Sequence, residues 1–197
     1  AILGKLITLP AQALVVWRMG LVALCLALIP KVWRGISVLP TRLILIYAGI
    51  GIIVAVHWLT FYAAIKLSNA SVAVSCMALG SIFAAVVEPL MTGRKHEISE
   101  LILGIMVVPG VVLLVGGVPS GMHLGIAIGI FSSFLTAVFA TLNKRYVHHA
   151  EPESVTFIEM SVGGAFIAFA GIAYFGFNNT LMLPDLRDFT LLVVLAL

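Results

Sequence analysis

Between Leu43 and Lys66 the chain reads LILIYAGIGIIVAVHWLTFYAAIK, with no formal charge before its last residue. A hydrocarbon core about 30 Å thick is crossed by roughly 20 apolar residues in helical form, and this run supplies them. His57, Trp58 and Tyr62 stand inside it. A polar or ionisable side chain at that depth is costly unless it meets other protein or a wet cavity. The chain therefore reads as a membrane protein with something polar to handle inside the bilayer. Composition agrees: 62% of residues are hydrophobic, 10% are charged, and the mean hydropathy is +1.20. Soluble domains carry about 25% charged residues, so a soluble core is excluded.

The hydropathy pattern predicts six complete spans, at roughly Leu14–Ile29, Leu43–Lys66, Ala70–Met91, Leu101–Val118, Leu124–Leu142 and Val155–Phe177. Ala1–Thr8 reads as the end of one further helix and Phe189–Leu197 as the start of another. The expectation is an all-α polytopic bundle that is a fragment of a longer protein. The connections Pro30–Thr41, Ser68-Asn69, Gly93–Glu100, Pro119–His123, His148–Ser154 and Asn178–Asp188 are short and polar. Any chemistry must lie in or between the helices.

The net charge of +3 is unevenly placed. Lys31, Arg34 and Arg42, then Arg94 and Lys95, then Lys144 and Arg145 occupy alternate loops, and the loops between hold few basic residues. Alternation of this kind is the positive-inside pattern and puts the basic loops in the cytoplasm. It gives no support to nucleic-acid binding. Cys25 and Cys76 both fall inside spans, where small apolar packing is expected rather than a disulfide.

A weak internal repeat is visible. Gly4-Lys5, Pro10 and Arg18-Met19 are followed by an apolar run, as are Asn143-Lys144, Pro152 and Glu159-Met160. The copies lie an odd number of helices apart, which inverts their orientation, as in the inverted repeats of secondary transporters. Gly121, Gly125 and Gly129, with Gly104, Gly110, Gly116 and Gly117, mark faces on which helix backbones can approach closely.

Several polar residues could line a solute path. His57 lies fourteen residues, about 21 Å, beyond Leu43, with Trp58, Phe61 and Tyr62 beside it and Lys66 closing the helix. These form either a cavity wall or an outer aromatic belt with a snorkelling lysine. Ser75, Met77 and Ser81 in the fourth span, and Ser132 and Thr136 in the sixth, would complete the cavity. Arg18 reads as a structural arginine near the outer surface. Glu88 reads as an inner-interface anchor neutralised by Arg94 and Lys95, with Pro89 disfavouring helical geometry at Glu88. Glu159 is either half of an ion pair with Lys144 or a carboxylate that carries a coupling proton. No metal, cofactor or enzyme motif is present: there is no H-E-x-x-H, Walker loop or nucleophile elbow.

The stretch HWLTFYAAIKLSNASVAVSCMALGSIFAAVVEPLMTGRKHEISELILGIMVVPGVVLL resembles the EamA-like branch of the drug/metabolite transporter superfamily. The likeness rests on an aromatic helix ending at Lys66, a tight Ser-Asn turn and a helix rich in small residues. A basic-acidic loop (Arg94, Lys95, Glu97, Glu100) and a Gly-punctuated helix follow, and the Arg18 helix and the Asn143-Lys144 helix end match too. Many members carry a proline in the middle of the fourth helix, where this chain has Gly80-Ser81. The resemblance implies ten helices in two inverted five-helix repeats, here 1–118 and 119–197, each truncated. It implies an inner-membrane secondary transporter that exports or exchanges small metabolites such as amino acids, without enzymatic activity or cofactor. The alternative is a non-transporting membrane protein with an assembly or lipid-interaction role.

Overall fold

The computed structural model describes residues 2–196. Ala1 and Leu197, the outer ends of the two partial spans, lie outside the described residues. Among those described there are helices and connections and no strand. The helices are α1 (Ile2–Leu6), α2 (Ala11–Ala27), α3 (Pro30–Ser37), α4 (Thr41–Leu67), α5 (Ala70–Ala78), α6 (Gly80–Thr92), α7 (Ile98–Gly116), α8 (His123–Tyr146), α9 (Pro152–Phe175), α10 (Phe177–Thr180) and α11 (Leu186–Ala196). Five stretches are long and apolar enough to cross a membrane: α4, α5 with α6, α7, α8 and α9. The α2–α3 pair makes a sixth if its two arms are taken as one span.

That pair is where the structure departs most from the hydropathy pattern. Pro30 has no N–H to continue α2, and it drives Ile29 to extended backbone (φ −93°, ψ 111°). The chain turns by 88°, and Pro30–Ser37, expected as a polar connection, forms a helix. Its Val32 is buried, while Lys31 and Arg34 stay on the polar side.

The fourth span also has a break. Ala70–Ala78 and Gly80–Thr92 meet at Leu79, where the turn tightens and the Leu79 N–H bonds to the Cys76 carbonyl at 3.1 Å. The fourth span is thus interrupted next to Gly80-Ser81. Further along, α6 continues through Glu88 and Pro89 to Thr92, which corrects the expectation that Pro89 would take Glu88 out of the helix. It stops at Gly93, whose φ of +73° suits a residue without Cβ.

By contacts the chain divides into two compact units, each drawing on both sequence halves. The first contains Ala1–Lys5 and Thr60–Arg145. Asn69 caps α5 here by accepting from the Val72 N–H at 2.9 Å, and the Ser68 hydroxyl donates to the Ala64 carbonyl at 2.6 Å. The start of α8 lies across this corner. A Cβ on Gly125 would stand 2.8 Å from Ser68 Cβ, and one on Gly129 would stand 3.1 Å from Cys76 Sγ. Two of the small-residue steps read from the sequence are therefore internal packing faces, while Gly121, Gly110 and Gly116 meet nothing within 4 Å. Val72, Cys76 and Ile126 form the apolar centre, with Val115 and Val118 against them.

The second unit contains Leu6–Leu59 and Tyr146–Leu197. Its axis is the packing of α2 on α9. The Trp17 indole N–H donates to the Met182 carbonyl just beyond α10 (2.9 Å), and the Ser154 hydroxyl at the start of α9 donates to Val32 in α3 (3.1 Å). The N-terminal end of α2 thus lies by the C-terminal end of α9 and the reverse, so the two helices run antiparallel. This is the relative direction that an inverted repeat requires of them. Both ends of this pair are tied. On one side the Thr8 N–H and hydroxyl donate to the buried Asp188 carboxylate, the hydroxyl at 2.7 Å. On the other, Lys31 reaches Glu151 at 2.8 Å and Glu153 at 3.2 Å.

Candidate functional site

The second unit buries Tyr47, His57 and Glu159, and α4 presents one face to α9 there. Tyr47, Gly51, Ala55 and Trp58 follow one another at steps of four, four and three residues, so they share a stripe. The Tyr47 hydroxyl donates to the Tyr146 carbonyl at 3.1 Å, and the two rings meet edge to face at 6.5 Å. Gly51 lies against the backbone of Glu159 on α9: a Cβ would come within 2.6 Å of Glu159 Cα. Gly163, one turn further along α9, is equally tight, a Cβ there meeting Ala55 Cβ at 3.0 Å and Met19 Cε at 2.6 Å. Only glycines at 51 and 163 let α4 and α9 approach so closely.

Trp58 is met from the other side. The Arg18 guanidinium carbon lies 3.8 Å from the centre of the Trp58 ring, a cation–π stack between α2 and α4. Glu159, on the third helix of the group, is 5% exposed. Arg18 is seven residues into α2 and Glu159 seven residues into α9, each about 10 Å from its helix start. Because the helices are antiparallel, these depths are measured from opposite ends. Met19, next to Arg18, abuts Gly163 and Gly164, which puts Glu159 roughly 7 Å back toward the start of α9. A guanidinium stacked on an indole and a buried carboxylate thus stand at neighbouring levels in one three-helix junction.

The residues expected to line a solute cavity are distributed as follows. His57 is buried beside Trp58 in the second unit. In the first unit Tyr62 is 2% exposed, its ring closed over Gly4 of α1 and edge-on to Phe61 at 5.6 Å. Lys66 is exposed at the end of α4. Ser75 is half-buried and Ser81 exposed, and their hydroxyls donate back to Ser71 (2.9 Å) and Ala78 (3.0 Å) within the same span. Ser132 is fully buried, and the Thr136 hydroxyl donates to its carbonyl at 3.1 Å. Met77 is half-buried, its carbonyl accepting from the Ser133 hydroxyl at 3.4 Å. Ser81 opens on a groove between α6 and α7.

Lys144, expected opposite Glu159, has its ammonium 2.6 Å from Glu88 Oε1. Arg94 adds a longer contact of 3.7 Å to the same oxygen and holds both carboxylate oxygens of Glu100. Those bonds raise the Arg94 guanidinium above its ordinary value. Arg145 donates to the Met91 carbonyl at 2.8 Å, closing the C-terminal turn of α6. Glu88 is therefore anchored by bases from two elements, of which the sequence pattern pointed to Arg94 only.

Arg18 and Tyr47 were not among the expected site residues. The signal available for Arg18 was depth, since Trp58 lies nine residues before the end of α4 and Arg18 seven after the start of α2. On antiparallel neighbouring spans these are similar levels in the bilayer.

The EamA-like transporter family model matches residues 1–116, more than half of the chain. The chain belongs to the EamA-like transporter family. That places it in the drug/metabolite transporter superfamily, whose members are helical membrane transporters of small solutes. The matched region of this EamA-like chain contains Arg18 and Trp58, and Glu159 lies beyond it. Comparison with the curated proteins and with the solved structures gave no significant match.

Proposed function

We propose that this EamA-like protein is a secondary transporter, an exporter or exchanger of small metabolites such as amino acids. In this reading it works at the inner membrane by alternating access, with no nucleotide hydrolysis. The observation that carries the reading is the Arg18–Trp58 stack beside buried Glu159 on three helices long or apolar enough to lie in the bilayer. Charges at that depth are expensive to retain, and intramembrane charges typically mark solute or proton paths. The stack fixes the plane of the guanidinium and holds a positive charge in the junction, the sign that attracts an anionic group. Glu159 offers the opposite sign for a cationic group or for a coupling proton. The proposal extends to His57 in the second unit and, separately, to Tyr62, Lys66, Ser75, Met77, Ser81, Ser132 and Thr136 as solute-contacting residues of the first. The alternation of basic loops supports cytoplasmic placement of Lys31, Lys95 and Lys144.

The test is solute counterflow by the full-length protein in proteoliposomes with a panel of labelled amino acids and organic acids. Accumulation driven by preloaded unlabelled solute supports the reading. No counterflow for any solute from a correctly inserted, folded protein overturns it.

A further inference from the structure

A groove of about 340 Å³ runs between α6 and α7 in the first unit. The two helices are pinned where Gly104 meets Ile82, a Cβ on Gly104 coming within 2.7 Å of Ile82 Cα. Ala84, Ala85, Leu103 and Val107 line the groove, and the small alanines account for its depth. Glu88 and Glu100 stand at its mouth, four residues from the end of α6 and two from the start of α7. From there to Val107 is seven residues, about 10 Å, so the groove runs from headgroup level into the hydrocarbon. Its wall α7 is the least buried of the five long spans, with 11% of its membrane window covered.

The mouth carries both signs of charge. Lys144 and Arg94 meet Glu88 through Oε1, which leaves Oε2 able to accept from a donor in the groove. Behind the carboxylates, Lys144 is 68% exposed and Arg94 34%. A ligand that fits must bring an acyl chain for the alanine floor, an N–H cation for Glu88, and an anion for Arg94 and Lys144. We propose that this groove binds one phospholipid with an ethanolamine headgroup. Its ammonium donates to Glu88, its phosphate lies against Lys144 and Arg94, and one chain follows Ala84 and Leu103. Phosphatidylcholine matches the shape but has no N–H to donate, and phosphatidylglycerol has no cation. The assignment rests on α6, α7, α8 and Arg94 in the α6–α7 connection; Ser81, proposed above as solute-contacting, also lines this groove, and lipid retention is read independently of counterflow.

The test is native mass spectrometry of the full-length protein in mixed micelles of equimolar phosphatidylethanolamine, phosphatidylcholine and phosphatidylglycerol. The wild type should retain one ethanolamine lipid roughly tenfold over choline lipid, the ratio expected of one charge-assisted hydrogen bond. Glu88→Gln should bring that ratio near unity. Ala84→Trp, which fills the groove and leaves every charge in place, should remove the retained lipid. Thermal unfolding of both variants without lipid separates loss of the site from loss of the fold. Equal retention of all three lipids, preference for phosphatidylglycerol, or ethanolamine preference that survives both substitutions overturns the proposal.

Discussion

Arg18 on α2 lies flat over Trp58 on α4, guanidinium carbon 3.8 Å from ring centre, in the same unit as buried Glu159. Both residues are half-buried, and a cation–π stack in such a setting stabilises by about 1–2 kcal/mol. The pair therefore orients Arg18 as well as anchoring it. Trp58→Phe should keep most of the counterflow rate, since a ring face remains. Trp58→Ala should lower it by about tenfold at unchanged membrane abundance. Arg18→Lys should behave like Trp58→Ala, because an ammonium cannot stack as a plane. Normal transport by Trp58→Ala would remove the stack from the solute path.

Close approach of α4 and α9 depends on Gly51 and Gly163. Gly51→Val should lower the midpoint of thermal unfolding in detergent, by an overpacking cost of about 1–3 kcal/mol. Gly49 meets nothing within 4 Å, so Gly49→Ala is the control and should leave the midpoint within experimental error. Equal midpoints for the two variants would show that the helices are not in contact at Gly51.

Orientation can be read with reporter fusions to the full-length protein. Fusions after Lys95 and Lys144 should report the cytoplasm, and one after Ser120 the outside. An external signal at Lys95 would reverse the assignment.

The helix after Pro30 has a covered side and an open side. In a cysteine-free background, Cys at Arg34 should react with a membrane-impermeant maleimide from the cytoplasmic side. Cys at Val32, where the native side chain is fully buried against α9, should react at least tenfold more slowly. Similar rates at both positions would return Pro30–Ser37 to a polar loop.

Much of the architecture was legible before any coordinates. Apolar runs of membrane length force helices because the bilayer offers backbone groups no other partner. The ends of the runs at Leu43–Lys66 and Ala70–Met91 lie within two residues of the observed helix ends, the second run being broken at Leu79. The motifs around Lys66, Ser68-Asn69 and Arg94 pointed to the EamA-like family through local chemistry that survives without a fold. Tertiary structure decided what hydropathy averages away. A window over Pro30–Thr41 registers its charges but not that Val32, Gly35 and Ser154 would make a surface for a helix at 88° to α2. Lys144 chose Glu88, a residue 56 positions away, because α6 and α8 end side by side. The stack of Arg18 on Trp58, and the pinning of Glu159 by a glycine on α4, depend on helices separated by tens of residues meeting at one depth. Sequence determines depth along each helix through the rise per residue, but rotation and neighbour choice follow from side-chain packing among helices, which no single segment encodes.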